Sequence, residues 1–189
     1  MKIMVLDNYD SFTYNLVHIL KELSKGPVDV HRNDKIDLKD MGKYDKIVIS
    51  PGPGVPEQAG ITKKMIEHFA PTKSILGVCL GCQAIAEVFG GSLINLAQVY
   101  HGVATNIIVL DKDDRIFREI PASFTAGRYH SWVINENNLP AGLKITAKDD
   151  EGMIMAIAHL THDVKGVQFH PESVLTKYGK QMLLNWLDI

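Results

Sequence analysis

Short apolar runs rich in β-branched residues alternate with amphipathic segments along the first half of the chain. Residues 2–7 (KIMVLD), 46–50 (KIVIS) and 74–78 (SILGV) are bounded by turn-forming residues and predict buried β-strands. A helix-like pattern follows each of them. This alternation favours βαβ units around an open, mostly parallel sheet with helices on both of its faces.

Four helices are predicted from apolar spacing and from capping signals. The first covers residues 12–23, with Asp10 or Ser11 as its cap and a stop near Gly26-Pro27. The other three cover residues 62–70, residues 82–89 up to the stop at Gly90-Gly91, and residues 177–189.

The C-terminal half has a different pattern, with strand-like runs and little helix between them. These runs cover residues 105–110, 143–148, 153–159 and 164–169, and they predict antiparallel strands added to the parallel core. Neither a repeat nor a linker interrupts the pattern. With 189 residues, of which 46% are apolar, the chain is expected to form one domain over residues 1–189.

Composition narrows the range of partners. The 20 basic residues are spread among 22 acidic ones, so the net charge of −2 predicts binding neither to nucleic acid nor to a membrane surface. The first ten residues lack the apolar core of a signal peptide, and no apolar run has the length of a membrane span. With only two cysteines, the protein is expected to be cytoplasmic with reduced thiols.

Both cysteines, Cys79 and Cys82, lie in residues 75–85 (ILGVCLGCQAI) with the spacing C-x-x-C. A redox pair is one interpretation, because such a pair often opens a helix after a strand. A zinc site is a second, but it would need two further ligands, and the histidines of residues 159–162 (HLTH) are the only candidates by spacing.

A third interpretation takes Cys79 as a nucleophile. Residues 77–81 match G-x-S-x-G with sulfur in place of the hydroxyl, the pattern of a sharp strand-to-helix turn. Gly77 and Gly81 would supply the room that such a turn needs. The helix N-terminus would favour a thiolate, and the N–H of Leu80 could donate to an oxyanion.

A cysteine nucleophile needs a base, and the base needs an orienting group. His170 ends a strand-like run, and Glu172 follows two residues later, so both side chains project the same way from an extended segment. Taken singly, a buried thiol or a surface histidine is the more ordinary explanation of each residue. The elbow and the H-P-E pattern together favour a triad of Cys79, His170 and Glu172.

A glycine-rich loop at residues 50–60 (SPGPGVPEQAG) follows the second strand. Gly52 and Gly54 allow close approach of the backbone to a ligand, although a plain turn would use the same residues. The loop leaves the carboxyl end of its strand, so it should lie at the same sheet edge as Cys79. It is therefore a candidate second oxyanion donor.

These motifs carry a family resemblance. Residues 50–54 (SPGPG), 77–83 (GVCLGCQ) and 166–173 (GVQFHPES) resemble the class I (triad) glutamine amidotransferases in order and spacing, over essentially the whole chain. Three further segments resemble, within this family, the small subunits of anthranilate synthase and para-aminobenzoate synthase. These are residues 6–17 (LDNYDSFTYNLV), 101–102 (HG) and 128–132 (RYHSW). It implies an α/β, flavodoxin-like fold.

The resemblance also implies a reaction. Cys79 attacks the side-chain amide of L-glutamine, with His170 as base and then acid and with Glu172 orienting it; ammonia leaves, and water releases glutamate. Seven further residues match positions that hold glutamine or its oxyanion: Gly52, Pro53, Gly54, Leu80, Gln83, Ser131 and Trp132. Two positions depart from the family pattern, because Trp132 replaces a leucine and Cys82 replaces a histidine.

The implied partner is a chorismate-binding aminase large subunit (component I) that uses the ammonia. Magnesium is expected on that partner, with no metal or cofactor in this chain. Residues 8–12, 100–102 and the region of Ser131 are candidate docking surface, although their aromatic residues could equally pack in the core. Anthranilate synthase is the first assignment; para-aminobenzoate synthase, dual use and a C-x-x-C redox protein are the alternatives.

Overall fold

A nine-stranded sheet forms the centre of the protein, for which a computed structural model describes residues 1–188. The strands of these residues are β1 (Ile3–Asp7), β2 (Val28–Arg32), β3 (Lys46–Ile49), β4 (Ser74–Val78), β5 (Leu93–Asn95), β6 (Val103–Val109), β7 (Ser123–Arg128), β8 (Trp132–Ile134), β9 (Leu143–Asp149), β10 (Ile154–His159) and β11 (Val164–Val167). The main sheet has the order β2-β1-β3-β4-β11-β10-β9-β6-β7, and β5 pairs with β8 separately.

The sheet is parallel over its first five strands and antiparallel over the rest. Every residue of β1 is buried, as expected for a strand covered on both faces. The runs predicted at residues 105–110, 143–148 and 153–159 are confirmed as antiparallel strands. The run at 164–169 differs, because β11 pairs parallel with β4 and so becomes the fifth strand of the parallel core.

Helices cover both faces of this sheet, which confirms the predicted α/β class. They are α1 (Thr13–Leu23), α2 (Leu38–Met41), α3 (Thr62–Phe69), α4 (Leu80–Val88) and α5 (Gly179–Leu187). Alternate residues of β1 enter two separate apolar clusters. The cluster that holds Val5 also contains residues of α1 and α5, and the cluster that holds Leu6 contains residues of α3 and α4.

Three predicted helix starts are corrected by the structure. Phe12, not Asp10 or Ser11, is the N-cap of α1, because the Asp10 carboxylate accepts the Phe12 N–H at 2.8 Å in a turn before the helix. Helix α4 begins at Leu80, two residues before the predicted start, because the chain turns sharply at Cys79. The last predicted helix begins at Gly179, and its final residue, 189, lies outside the described residues.

Over residues 1–188, none of the helices combines the length and apolar character needed to cross a membrane.

Candidate active site

Cys79 stands on a strained turn between β4 and α4. Its backbone has φ 52° and ψ −103°, a conformation that residues other than glycine rarely adopt. The turn is possible because glycines lie two residues before and two residues after Cys79: a Cβ on Gly77 would lie 2.4 Å from the carbonyl carbon of Gly81, and one on Gly81 would lie 2.8 Å from the Ile49 oxygen. The thiol is therefore held at the carboxyl edge of the sheet, at the N-terminus of α4.

His170 reaches the same edge through the neighbouring parallel strand. Val167 of β11 is in register with Val78 of β4, so the residues that follow these two strands emerge side by side. The N–H of His170 donates to the Gly127 carbonyl at 3.0 Å, which ties the segment to β7. Strand order thus brings together two residues that are far apart in the chain.

His170 and Glu172 form a buried pair, with 2.7 Å between Nδ1 and Oε1. The imidazole packs edge-on against the rings of Phe12 and Tyr129, at centroid distances of 5.6 and 4.8 Å. Its Nε2 is buried and makes no hydrogen bond to any of the described residues. Burial lowers the pKa of His170, but the Cys79 sulfur and the Glu172 carboxylate outweigh burial and raise this pKa above its ordinary value.

A cavity of about 160 Å³ opens beside the sulfur. Seven of the ten predicted site residues line it: Gly52, Pro53, Gly54, Cys79, Gln83, Ser131 and Trp132. A second cavity of about 150 Å³ is lined by Cys79, His170 and Asp10 among others. Leu80 and Glu172 line neither cavity; Leu80 is the first residue of α4, where an N–H has no acceptor within the helix, and Glu172 contacts His170.

The glycine-rich loop lies tightly against the end of β1. A Cβ on Gly52 would lie 2.6 Å from the Cβ of Asn8, and Gly54 has a φ of 73°. The Asn8 N–H donates to Ser50 Oγ at 2.8 Å, and the Asn8 amide donates to the Ser50 carbonyl at 2.9 Å. Asn8, which was expected in a docking surface, is instead buried and holds the loop that forms one wall of the cavity.

The opposite wall is held by the side chain of Gln83 and the backbone of Trp132. Gln83 Nε2 donates to the Trp132 carbonyl at 2.9 Å, so α4 and the Ser131–Trp132 segment are directly joined. The same carbonyl accepts from Nδ1 of His130 at 2.9 Å. It is the backbone of Trp132, and not its indole, that makes these contacts.

Beneath this wall lies a buried charged group that sequence reasoning missed. Arg128 is fully buried and pairs with Asp149 at 2.6 Å. Its guanidinium lies 3.7 Å from the ring centroid of Tyr100, which is also buried. The expectation that Tyr100 belongs to an exposed docking surface is wrong for its side chain, whereas His101 and Gly102 are exposed.

Cys82 has a different environment from Cys79. It is fully buried in the cluster that contains α3 and α4, whereas Cys79 belongs to the cluster on the other face of the sheet. A Cβ on Gly166 would lie 2.7 Å from the Cys82 sulfur, which shows how closely α4 packs on β11. Burial raises the pKa of the Cys82 thiol well above its usual value, so this thiol is held in its protonated form.

The two histidines considered as zinc ligands, His159 and His162, pack against each other. The rings of His159 and His162 stack at 4.4 Å, and Phe89 packs against His159 at the same distance. Within the part of the chain that the structure describes, no group of three or more His, Cys, Asp or Glu side chains is arranged to hold a metal ion.

A family model described as glutamine amidotransferase class-I matches residues 4–189. Among solved structures, a Thermotoga maritima glutamine amidotransferase has a TM-score of 0.84 at 14% identity, covering 100% of this chain and 96% of that one. A Thermoplasma acidophilum protein provisionally assigned as part of a GMP synthase has a TM-score of 0.89 at 29% identity, covering 100% and 92%.

Several curated relatives match over nearly their whole length. The aminodeoxychorismate/anthranilate synthase component 2 of Bacillus subtilis is 44% identical, covering 98% of this chain and 95% of the relative. The aminodeoxychorismate synthase component 2 of Escherichia coli and the anthranilate synthase component 2 of Porphyra purpurea are each 46% identical, with 98% of both chains covered. The chain also matches 32% of the length of the bifunctional protein TrpGD of Thermotoga maritima, at 44% identity.

Proposed function

Because this chain belongs to the class I glutamine amidotransferase family, we propose that it is the glutaminase subunit of a chorismate-using synthase. One observation carries the chemistry: a cysteine on a strained turn shares a cavity with a histidine whose other nitrogen is paired to a buried carboxylate. A nucleophile, a base and an orienting group are together what acyl transfer to a thiol requires.

The first half of the reaction follows from the positions of Cys79 and His170. The Cys79 thiolate attacks the side-chain amide carbon of L-glutamine, and the charge that develops on the amide oxygen faces the N–H of Leu80 and the glycine-rich loop. The imidazolium of His170 then gives its proton to the amide nitrogen. The C–N bond breaks, ammonia leaves, and a glutamyl thioester remains on Cys79.

Water completes the cycle with the roles of His170 reversed. Neutral imidazole takes a proton from water as the oxygen bonds to the thioester carbon. The C–S bond then breaks, which releases glutamate and returns the thiolate beside an imidazolium. Glu172 supports both halves, since its carboxylate, 2.7 Å from Nδ1, orients the ring and stabilises its positive charge.

For the cavity walls we propose that Gly52, Pro53, Gly54, Gln83, Ser131 and Trp132 hold the glutamine. In support, Gln83 lines the cavity and donates from Nε2 to the Trp132 carbonyl. The side-chain oxygen of Gln83 is therefore left to accept a hydrogen bond from a ligand. The half-buried Ser131–Trp132 segment offers backbone groups, which makes the exchange of leucine for Trp132 tolerable. Leu80 contributes through its N–H.

The acceptor of the ammonia is proposed from the names of the relatives. Those names describe component 2 of anthranilate synthase, of aminodeoxychorismate synthase or of both. We therefore propose a chorismate-binding component I as partner, which would carry the magnesium. Tryptophan synthesis through anthranilate is the first assignment, with para-aminobenzoate for folate, or both, as the alternative.

Replacement of Cys79 by serine tests the nucleophile in the assembled synthase. Glutamine-dependent synthesis should fall by at least about three orders of magnitude, because the covalent route is lost, while synthesis from added ammonia persists. Cys82→Ala is the matched control and should retain both activities. Loss of ammonia-dependent synthesis in Cys79→Ser would contradict the assignment, because the partner's own chemistry would then depend on this residue.

Thiol titration of the unmodified protein tests the redox alternative, in which Cys79 and Cys82 form a reversible disulfide. The separation of the two thiols into clusters on opposite faces of the sheet favours two independent cysteines. Thiol titration before and after mild peroxide should find neither cysteine lost to an internal disulfide. Loss of both thiols together, restored by reductant, would support the redox function.

The partner is identified by affinity co-purification of the tagged chain from its own cells, with mass spectrometry of what it retains. Retention of the large component of anthranilate synthase would assign tryptophan synthesis, and retention of the large component of para-aminobenzoate synthase would assign folate synthesis. Both together would assign dual use. Retention of neither aminase would contradict the proposed partner. The glutaminase chemistry would then be tested only by the Cys79→Ser variant.

A further inference from the structure

The side-chain amide of Gln168 lies beside the nucleophile, and the reaction described above does not use it. Gln168 follows β11 directly and is fully buried. Its Nε2 lies 3.6 Å from the Cys79 sulfur, within the range of an N–H···S hydrogen bond. A thiol accepts such a bond weakly, but a thiolate carries a full charge and accepts it more strongly.

The orientation of this amide is set by its neighbours. The Trp132 carbonyl can only accept, so the amide of Gln83 must turn its Nε2 towards it. The same Nε2 donates to Oε1 of Gln168 at 3.2 Å. With Oε1 occupied in this way, the Nε2 of Gln168 is the end that faces the sulfur.

The chain of hydrogen bonds is anchored at its other end by a permanent charge. The guanidinium of Arg128 can only donate, and its Nε donates to Nε2 of His130 at 3.1 Å. His130 therefore carries its proton on Nδ1 and donates it to the Trp132 carbonyl at 2.9 Å. Arg128 itself is held by its ion pair with Asp149. In each hydrogen bond from Arg128 to Gln168, the donor and the acceptor are therefore determined.

We propose that Gln168 is a catalytic residue that donates a hydrogen bond to the Cys79 thiolate, and that Gln83, His130 and Arg128 position it. This deepens the proposed glutaminase function and rests on it. The bond is strong when sulfur is charged and weak when sulfur is bonded to the glutamyl carbon. Gln168 therefore favours the thiolate before attack and again as the C–S bond breaks.

Other groups near Cys79 also influence its charge. His170 faces the sulfur from the segment after β11, and Cys82 lies one turn along α4. His101 and Asp10 line a cavity that Cys79 also lines. Because Gln168 is uncharged, its contribution can be separated from theirs by a substitution that leaves all of these groups in place.

The test replaces Gln168 by methionine, which has a similar length and no donor. Cys79 is alkylated with iodoacetamide between about pH 5 and 9, and its labelled peptide is quantified separately from that of Cys82 by mass spectrometry. We expect the midpoint of the alkylation profile to rise by about one pH unit in Gln168→Met, and further in Gln168→Glu, whose carboxylate repels the thiolate. The kcat for glutamine should fall about tenfold, with KM changed less than about twofold.

Gln181→Met is the matched control, since Gln181 lies on α5 and donates to Asn185 at 2.9 Å. Its alkylation profile should equal that of the unmodified protein. Gln168→Asn supplies a second variant that keeps a buried amide but withdraws it from the sulfur by one methylene, so it should shift the midpoint in the same direction. This separates loss of the hydrogen bond from loss of packing if methionine impairs folding.

An unchanged midpoint in folded Gln168→Met or Gln168→Asn would overturn the proposal. Alkylation requires no turnover, so its outcome is distinct from that of the proposed function. If the midpoint shifts but the unmodified protein in its synthase complex hydrolyses no glutamine, Gln168 keeps its role at the thiolate and the glutaminase assignment fails.

Discussion

At the scale of single residues, His130 stays neutral because its surroundings penalise a positive charge. Burial lowers its pKa, the neighbouring Arg128 lowers it further, and the result is a pKa of about 3. A histidine in the unfolded chain has a pKa of about 6.5, so below that pH the unfolded chain binds a proton that the folded protein does not. The contribution of His130 to folding stability should therefore fall with decreasing pH, by up to about 1.4 kcal/mol per pH unit.

Replacing His130 by asparagine removes the titrating ring and keeps a donor for the Trp132 carbonyl. Between about pH 7 and pH 5, the unmodified protein should lose about 2 kcal/mol more unfolding free energy than His130→Asn, as measured by urea denaturation. His68→Asn, which changes an exposed histidine on α3, should follow the unmodified protein. If His130→Asn also follows it at every pH, the argument for a neutral buried ring is wrong.

At the scale of elements, the position of α4 depends on direct contact between backbones. Gly81 lies where any side chain would meet the Ile49 Cβ at 2.9 Å, so α4 rests directly on β3. Ile49 is a buried strand residue on a backbone that cannot move aside without disturbing the sheet. This close packing fixes the direction in which α4 leaves Cys79, and with it the direction of its first N–H groups.

Gly81→Ala should move α4 away from the sheet and change the direction of its first N–H groups relative to the Cys79 sulfur. We expect a loss of about 1–3 kcal/mol in unfolding free energy and a larger relative loss in kcat than in KM. Denaturation and glutaminase assays of the complex measure the two effects. Gly42→Ala is the control, because its Cβ would meet none of the described residues closer than 3.9 Å. Equal effects of the two substitutions would contradict the packing argument.

At the scale of the whole molecule, one sheet connects the two halves of the chain. The buried pair between Arg128 on β7 and Asp149 on β9 lies in its antiparallel part, whereas Cys79 follows the parallel part. Because strands hydrogen-bond continuously from β2 to β7, damage to either part should destabilise both. The protein is therefore expected to unfold in one cooperative transition.

Arg128→Met would leave the Asp149 carboxylate buried without its cation, and we expect a loss of about 3–5 kcal/mol. Circular dichroism and tryptophan fluorescence, to which the fully buried Trp186 on α5 and the half-buried Trp132 contribute, should report the same midpoint. The double variant Arg128→Met/Asp149→Asn should be less destabilised than the sum of its parts. Separate midpoints, or additive losses, would contradict a single cooperative sheet with a coupled pair.

The sequence by itself determined the features that depend on neighbours in the chain. Strand and helix alternation and the glycines around Cys79 are local patterns, and local sterics decide what they form. The glycine-rich loop follows the same logic, because its strand brings it to the carboxyl edge. Most of the candidate site was predictable for this reason. His170 and Glu172 do pair, but the predicted extended segment is wrong: they pair across a turn, in which the Ser173 N–H donates to the His170 carbonyl at 3.2 Å.

Only the tertiary structure decided which distant residues meet. Residues 164–169 read as one more strand of the C-terminal half, yet β11 enters the parallel core beside β4 and carries His170 and Gln168 to Cys79. The bond from Gln168 to Cys79 spans 89 positions in the chain, and the pair of Arg128 with Asp149 spans 21. Such contacts depend on strand order and register, which short-range periodicity leaves open, so packing alone selected them.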